Sequence, residues 1–173
     1  YWRDWSSDVC SSDLEEFSIE NQQTFQIPFS NVLQSEPLTI SGRVVGVSSS
    51  ASSMQVSVNS QNISTVNFSA ITSGTLASDR SFSVNNISGT ATIDVTFDYN
   101  NSGNPSARAY LDFIEVSGKK ELIADDFQFS FRSFDAANTN GVVEYQIQNP
   151  QNIIQVWDVT DPIEVATIQN EST

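Results

Sequence analysis

The feature that most constrains this chain is a two-residue rhythm. From Phe17 onward apolar residues recur at every second position, as in Phe25, Ile27, Phe29; Met54, Val56, Val58; Ala91, Ile93, Val95, Phe97, Tyr99; Phe127, Phe129, Phe131; and Val143, Tyr145, Ile147. Extended backbone sends successive side chains to opposite faces, so each run describes a strand with one face buried and the other wet. Helical spacing does not compete anywhere. Between the runs stand turn formers: Ser35-Glu36-Pro37, the serines from Ser48 to Ser53, Ser73-Gly74, Ser88-Gly89, Asn100 to Pro105, Asn138 to Gly141, Asn149-Pro150 and Asp161-Pro162. About nine or ten strands at this spacing predict an all-β fold, an antiparallel β-sandwich or jelly roll, because a βαβ fold would need crossover helices. The sandwich is expected over residues 15–160, with 161–173 a linker or the start of a further segment. Its expected core includes Phe25, Ile27, Val56, Ile93, Val95, Phe97, Leu111, Phe113, Phe127, Phe129 and Phe131.

Tyr110 to Val116 is apolar on both faces by strict alternation, with Leu111 and Phe113 on one side and Tyr110, Ile114 and Val116 on the other. Such a strand belongs in the centre of a sheet. Ser117-Gly118-Lys119-Lys120 then reads as a tight reversal into a strand beginning near Leu122, with the two lysines at a solvated hairpin tip.

Charge narrows the function. Seven basic residues stand against 21 acidic ones, a net charge of −14. Phosphate contacts need clustered Lys and Arg, so no nucleic-acid partner is expected, nor docking on an anionic membrane face. The chain has no histidine. Ser/His/Asp and Cys/His catalysis and His-based zinc sites are thereby excluded, and neither a catalytic residue nor a cofactor is expected. No apolar run approaches the length of a transmembrane helix.

Residues 1–14, YWRDWSSDVCSSDL, hold two of the three Trp and the one Cys. Asp4 to Asp13 back-translates to GAC TGG AGT TCA GAC GTG TGC TCT TCC GAT, the common short-read sequencing adapter. The segment is therefore expected to be a library scar, with few long-range contacts and no place in the sheets.

Three groups invite a functional reading. Asp98, Asn100 and Ser102 place oxygen donors at alternate positions with Gly103 sixth, like a calcium loop. The twelfth position is Ala109 where such a loop needs a bidentate Glu, and the same residues build ordinary hairpin tips. Asp125-Asp126 are adjacent, so strand geometry would make their carboxylates diverge. Tyr110, Ile114, Val116 and Trp157 are the interface candidates, apolar side chains left over once the inward faces are assigned.

The stretch SARAYLDFIEVSGKKELIADDFQFSFRSF, residues 106–134, followed by IQVWDVTDP at 154–162, resembles the N-terminal β region of the type IX secretion system sortases, gingipain-like cysteine endopeptidases of Bacteroidota. The matching pieces span about a third of the chain, and residues 15–105 share only the polar β character. The resemblance implies a parent at the outer-membrane surface that removes C-terminal sorting signals and attaches cargo to the cell surface. In that family the catalytic Cys and His belong to a peptidase domain downstream of this region, so no catalytic residue carries over. The implied partners are that peptidase domain, attachment-complex proteins and cargo sorting domains. The competing reading is a free-standing carbohydrate- or surface-binding β-sandwich of an adhesin, and fold alone does not choose between them.

Overall fold

The alternating runs become two facing sheets. In this computed structural model residues 2–9 and 14–169 are described. Eight strands follow in order: β2 (Glu15–Phe17), β3 (Gln22–Pro28), β4 (Leu38–Val47), β5 (Ser52–Val58), β6 (Gln61–Phe68), β7 (Ser78–Ile87), β8 (Thr92–Asn100) and β9 (Arg108–Glu121). All their pairings are antiparallel. One sheet runs β2-β9-β4-β7 and the other β3-β8-β5-β6. The chain changes sheet at every step except the β5–β6 hairpin, which makes the sandwich a jelly roll. That hairpin turns on Asn59-Ser60, both at positive φ, 47° and 67°, between the paired Val58 and Gln61. This is the two-residue geometry whose twist matches its strands.

The core lies between the sheets. Ile27, Met54, Val56, Ile93, Val95 and Phe97 face Phe17, Ile40, Val44, Ala109, Ile114 and Val116, all fully buried. Phe97 is central, its ring centroid 6.2 Å from Phe17, 6.0 Å from Phe25 and 6.0 Å from Phe82 in tilted or edge-on arrangements.

Several expectations need correction, each for a local reason. The β4–β9 register slips at one point: Arg43 pairs with Phe113, but Val44 pairs with Leu111, so Asp112 is an extra residue. A bulge reverses the parity of everything after it. Ala109 and Leu111 point inward before it, Ile114 and Val116 point inward after it, and Phe113 is left half-buried. The strand is thus one-faced with a bulge, and Ile114 and Val116 are core residues unavailable to a partner.

Ser117-Gly118 makes no reversal, since β9 continues to Glu121. A Cβ at Gly118 would collide with Leu38 Cδ2, so this glycine serves a close approach within the sandwich. Lys119 and Lys120 therefore lie within a strand. Lys120 is buried, with Nζ 4.5 Å from the Phe29 ring centroid, and Lys119 Nζ lies 2.7 Å from Asp135 Oδ2.

The runs at Phe127–Phe131 and Val143–Ile147 form no strands. Phe127 is fully exposed, while Phe129, Phe131 and Tyr145 make a small aromatic cluster outside the sandwich. With both sheets complete, this segment's alternation finds no sheet partner in the described chain. Instead residues 125–169 run past the end of β9 through a short helix α1 (Phe134–Ala137), a 3₁₀ turn at Pro150–Asn152, and a separate hairpin of β10 (Gln155–Asp158) and β11 (Ala166–Gln169). They are tied to the jelly roll by backbone bonds from Gln148 N to Leu122 O, 2.8 Å, and from Ala124 N to Gln148 O, 3.1 Å.

The first segment also departs from expectation. β1 (Trp2–Val9) pairs antiparallel with β9 from Trp2↔Glu121 to Val9↔Ile114, so its backbone does join a sheet. Ladder bonds use only N–H and C=O groups, and β9 beyond β2 presents an open row of them to any extended segment fed along that edge. Cys10 and the side chains of Trp2 and Trp5 lie outside the described residues.

Candidate functional site

The β8–β9 loop holds its own oxygens. Asn100 Oδ1 accepts from Ser102 N at 2.9 Å, Asn101 Oδ1 from Gly103 N at 3.0 Å, and Asn104 Oδ1 from Ser106 N at 3.0 Å. These side-chain-to-backbone turns define the loop, and Ser102 sits within it at φ 54°. Asp98 is exposed and accepts from Gln22 Nε2 at 3.4 Å. Among the described residues no three Asp, Glu, His or Cys side chains converge as a metal site would require.

Beside this loop, Asn21, Ser53, Gln55, Thr65, Asp98 and Asn101 line an open groove of about 450 Å³ on the outer face of the β3-β8-β5-β6 sheet. The other sheet's outer face is organised by charge. Arg43 donates to Asp79 through Nη2 at 2.8 Å and Nε at 3.0 Å, and reaches Asp112 at 3.4 Å across the bulge. The paired hydrogen bonds raise the guanidinium pKa and hold the Asp79 carboxyl below its ordinary value.

Asp125 and Asp126 form no acid/base pair. Asp125 is occupied by Asn31 Nδ2 at 2.9 Å and Asn149 Nδ2 at 3.5 Å, and so helps anchor the segment that follows β9.

Of the four interface candidates, Ile114 and Val116 are fully buried, Tyr110 is half-buried, and Trp157 is 59% exposed on β10. Trp157 has company that the sequence reading did not assign. Phe127, Val142, Ile154, Val159 and Ile163 are also exposed, Ile154 at 84% and Ile163 at 90%. The turn after Trp157 is built locally. Asp158 Oδ1 accepts from Thr160 N at 3.0 Å and Asp161 Oδ1 from Ile163 N at 2.8 Å. Hydrogen bonds from the Thr160 side chain and backbone hold the Asp158 carboxyl below its ordinary value. The turn residues are thus fixed while the apolar side chains beside them face water. Large apolar side chains are thus exposed at several positions of this one segment.

The sequence matches no family model. It matches no curated protein either. In fold the chain is similar to three solved structures among others. Two are carbohydrate-binding modules: CBM36 in complex with calcium and xylotriose, with TM-score 0.42, 16% identity and coverage of 65% of this chain and 87% of that one; and the CBM36-1 domain of a multidomain xylanase from the hindgut metagenome of Trinervitermes trinervoides, with TM-score 0.43, 10% identity and coverage of 65% and 97%. The third is dimeric latent PorU from Porphyromonas gingivalis, with TM-score 0.63 and 22% identity over 81% of this chain. The chain spans 15% of that PorU chain, so its fold is similar to one region of a much longer protein.

Proposed function

We propose that this chain is a non-catalytic accessory β domain of a larger, PorU-like exported protein, and that the apolar surface of residues 127–165 packs it against the rest of that protein. The observation that carries this reading is the concentration of exposed large apolar side chains in the segment that leaves the jelly roll, Trp157, Ile154 and Ile163 foremost. A folded domain rarely leaves so many in water unless another surface covers them. The fold similarity to one region of PorU supports the same reading, as do the motif stretches at 106–134 and 154–162. A chain without histidine suits placement rather than hydrolysis. By resemblance, the parent is a cell-surface sortase whose peptidase domain lies downstream, and this domain holds that peptidase in position for cargo.

The test uses the full-length gene. Trp157→Ser with Ile163→Ser should lower cargo processing while the jelly roll, whose core they do not touch, keeps its folded signature. Normal processing at normal surface abundance removes the packing claim. A genomic frame that stops soon after Thr173, with no peptidase, overturns the sortase reading itself.

A further inference from the structure

We infer that the outer face of the β3-β8-β5-β6 sheet binds a neutral, polyhydroxylated ligand, an uncharged oligosaccharide by chemical class, centred on the groove at Asn21, Gln55 and Asp98. The starting observation is a segregation of charge between the two sheets. In β3, β5, β6 and β8 the only charged residues are Asp94 and Asp98, with no Lys or Arg. In β4, β7 and β9 stand Arg43, Asp79, Arg80, Arg108, Asp112, Glu115 and Glu121, together with Lys119 and the buried Lys120. An outer face kept only for solvation ordinarily carries charges of both signs, as the second group does and the first does not.

What the first sheet offers instead is a grid of amides and hydroxyls. Gln22 pairs with Asp98, Asp98 with Gln55, and Gln55 with Thr65, so four polar side chains stand in one row across all four strands. Thr24 and Thr96 pair in the next row, with their hydroxyl oxygens 2.8 Å apart. Neighbouring strands lie about 4.8 Å apart, so the row presents closely spaced amides and a hydroxyl that both donate and accept, with the Asp98 carboxylate as an acceptor among them. Sugar hydroxyls have the same dual character. The lack of cations on these strands argues against an anionic ligand, and the lack of exposed large apolar side chains on them argues against a hydrophobic ligand or a protein hot spot.

A second observation points the same way. The polar row opens into one groove, where Asn21, Ser53 and Asn101 stand beside Gln55, Thr65 and Asp98. The groove's volume of about 450 Å³ falls in the range of small-molecule sites, though its polar lining suits a polyol better than an apolar compound.

The test is an NMR titration of the isotope-labelled 173-residue chain with maltotriose, cellotriose, xylotriose and, for contrast, trigalacturonic acid. At least one neutral trisaccharide should shift the side-chain amide signals of Asn21, Gln22 and Gln55 saturably, and trigalacturonic acid should bind more weakly because Asp98 repels it. Gln55→Ala combined with Asp98→Ala should weaken binding at least about tenfold, the loss of two hydrogen bonds of ordinary strength, with the melting temperature unchanged. The inference is overturned if no neutral trisaccharide shifts these signals, if the acidic one binds equally well, or if the shifts map to another face. The groove shares no residue with the 127–165 surface, so either claim can fail alone.

Discussion

Phe97→Ala is the sharpest perturbation of the jelly roll. The side chain is fully buried, and its ring sits 6.0–6.2 Å from three other Phe rings drawn from both sheets. Truncating a buried Phe costs about 3–5 kcal/mol, through lost transfer energy and an imperfectly collapsed cavity. Each well-oriented ring pair adds about 0.5–1.5 kcal/mol beyond its area, so three such pairs put Phe97 at the upper end of that range. Against a total stability of about 5–15 kcal/mol, the variant should lose a third or more of its folding free energy. For a domain near 100 residues, that lowers the melting temperature by roughly 15 °C or more. The assay is thermal unfolding of the 173-residue chain, with Phe129→Ala as the control. Phe129 packs on Phe131 outside the two sheets, so its loss should cost less than about 1 kcal/mol, as peripheral substitutions do. If Phe97→Ala melts within about 3 °C of the parent, or Phe129→Ala falls as far as Phe97→Ala, the core has been placed wrongly.

Three further outcomes are expected. Gly42→Ala should destabilise by about 1–3 kcal/mol in denaturant unfolding, because an added Cβ would stand 2.7 Å from the Phe113 carbonyl oxygen and 2.9 Å from the Phe82 ring. Asp79→Asn should lower the melting temperature modestly at pH 7; because the folded-state pKa is depressed, the stabilisation is fully present above the ordinary 3.8 and is lost as pH falls through the folded value, so the gap between variant and parent should close in acid. A gap that does not narrow at all as the pH is lowered would show that Arg43 does not act through that carboxylate. Deleting residues 1–13 should leave the jelly roll folded, since its core begins at Phe17, while amides on the β9 edge from Ile114 to Glu121 lose exchange protection.

Much of the fold was legible because burial on one face writes itself into every second residue. Phe25–Phe29, Met54–Val58 and Ala91–Tyr99 read correctly as strands for that reason. Alternation carries no warning of a bulge, however, and the single extra residue at Asp112 turned Ile114 and Val116 from apparent surplus into core. Nor does it show whether a strand has a partner: Phe127–Phe131 has the pattern and no sheet to join. Gly118 looked like a turn because its sequence neighbours are turn formers, whereas its role depends on Leu38, eighty residues away in the chain. Asn59-Ser60 is a two-residue hairpin signal, two turn formers between alternating strands. Trp157 was legible as a surface aromatic. The groove at Asn21, Gln55 and Asp98 was not, because it exists only once three strands are set side by side in register.

The central claim is that residues 127–165 form a surface covered by the rest of a longer protein, and amide hydrogen exchange measured on the 173-residue chain and on the full-length gene product tests it most directly. Peptides covering Ile153 to Ile168 should exchange rapidly in the shorter chain and at least about tenfold more slowly in the full-length protein, while the jelly-roll strands exchange alike in both. Equal exchange of that segment in the two proteins would contradict the claim.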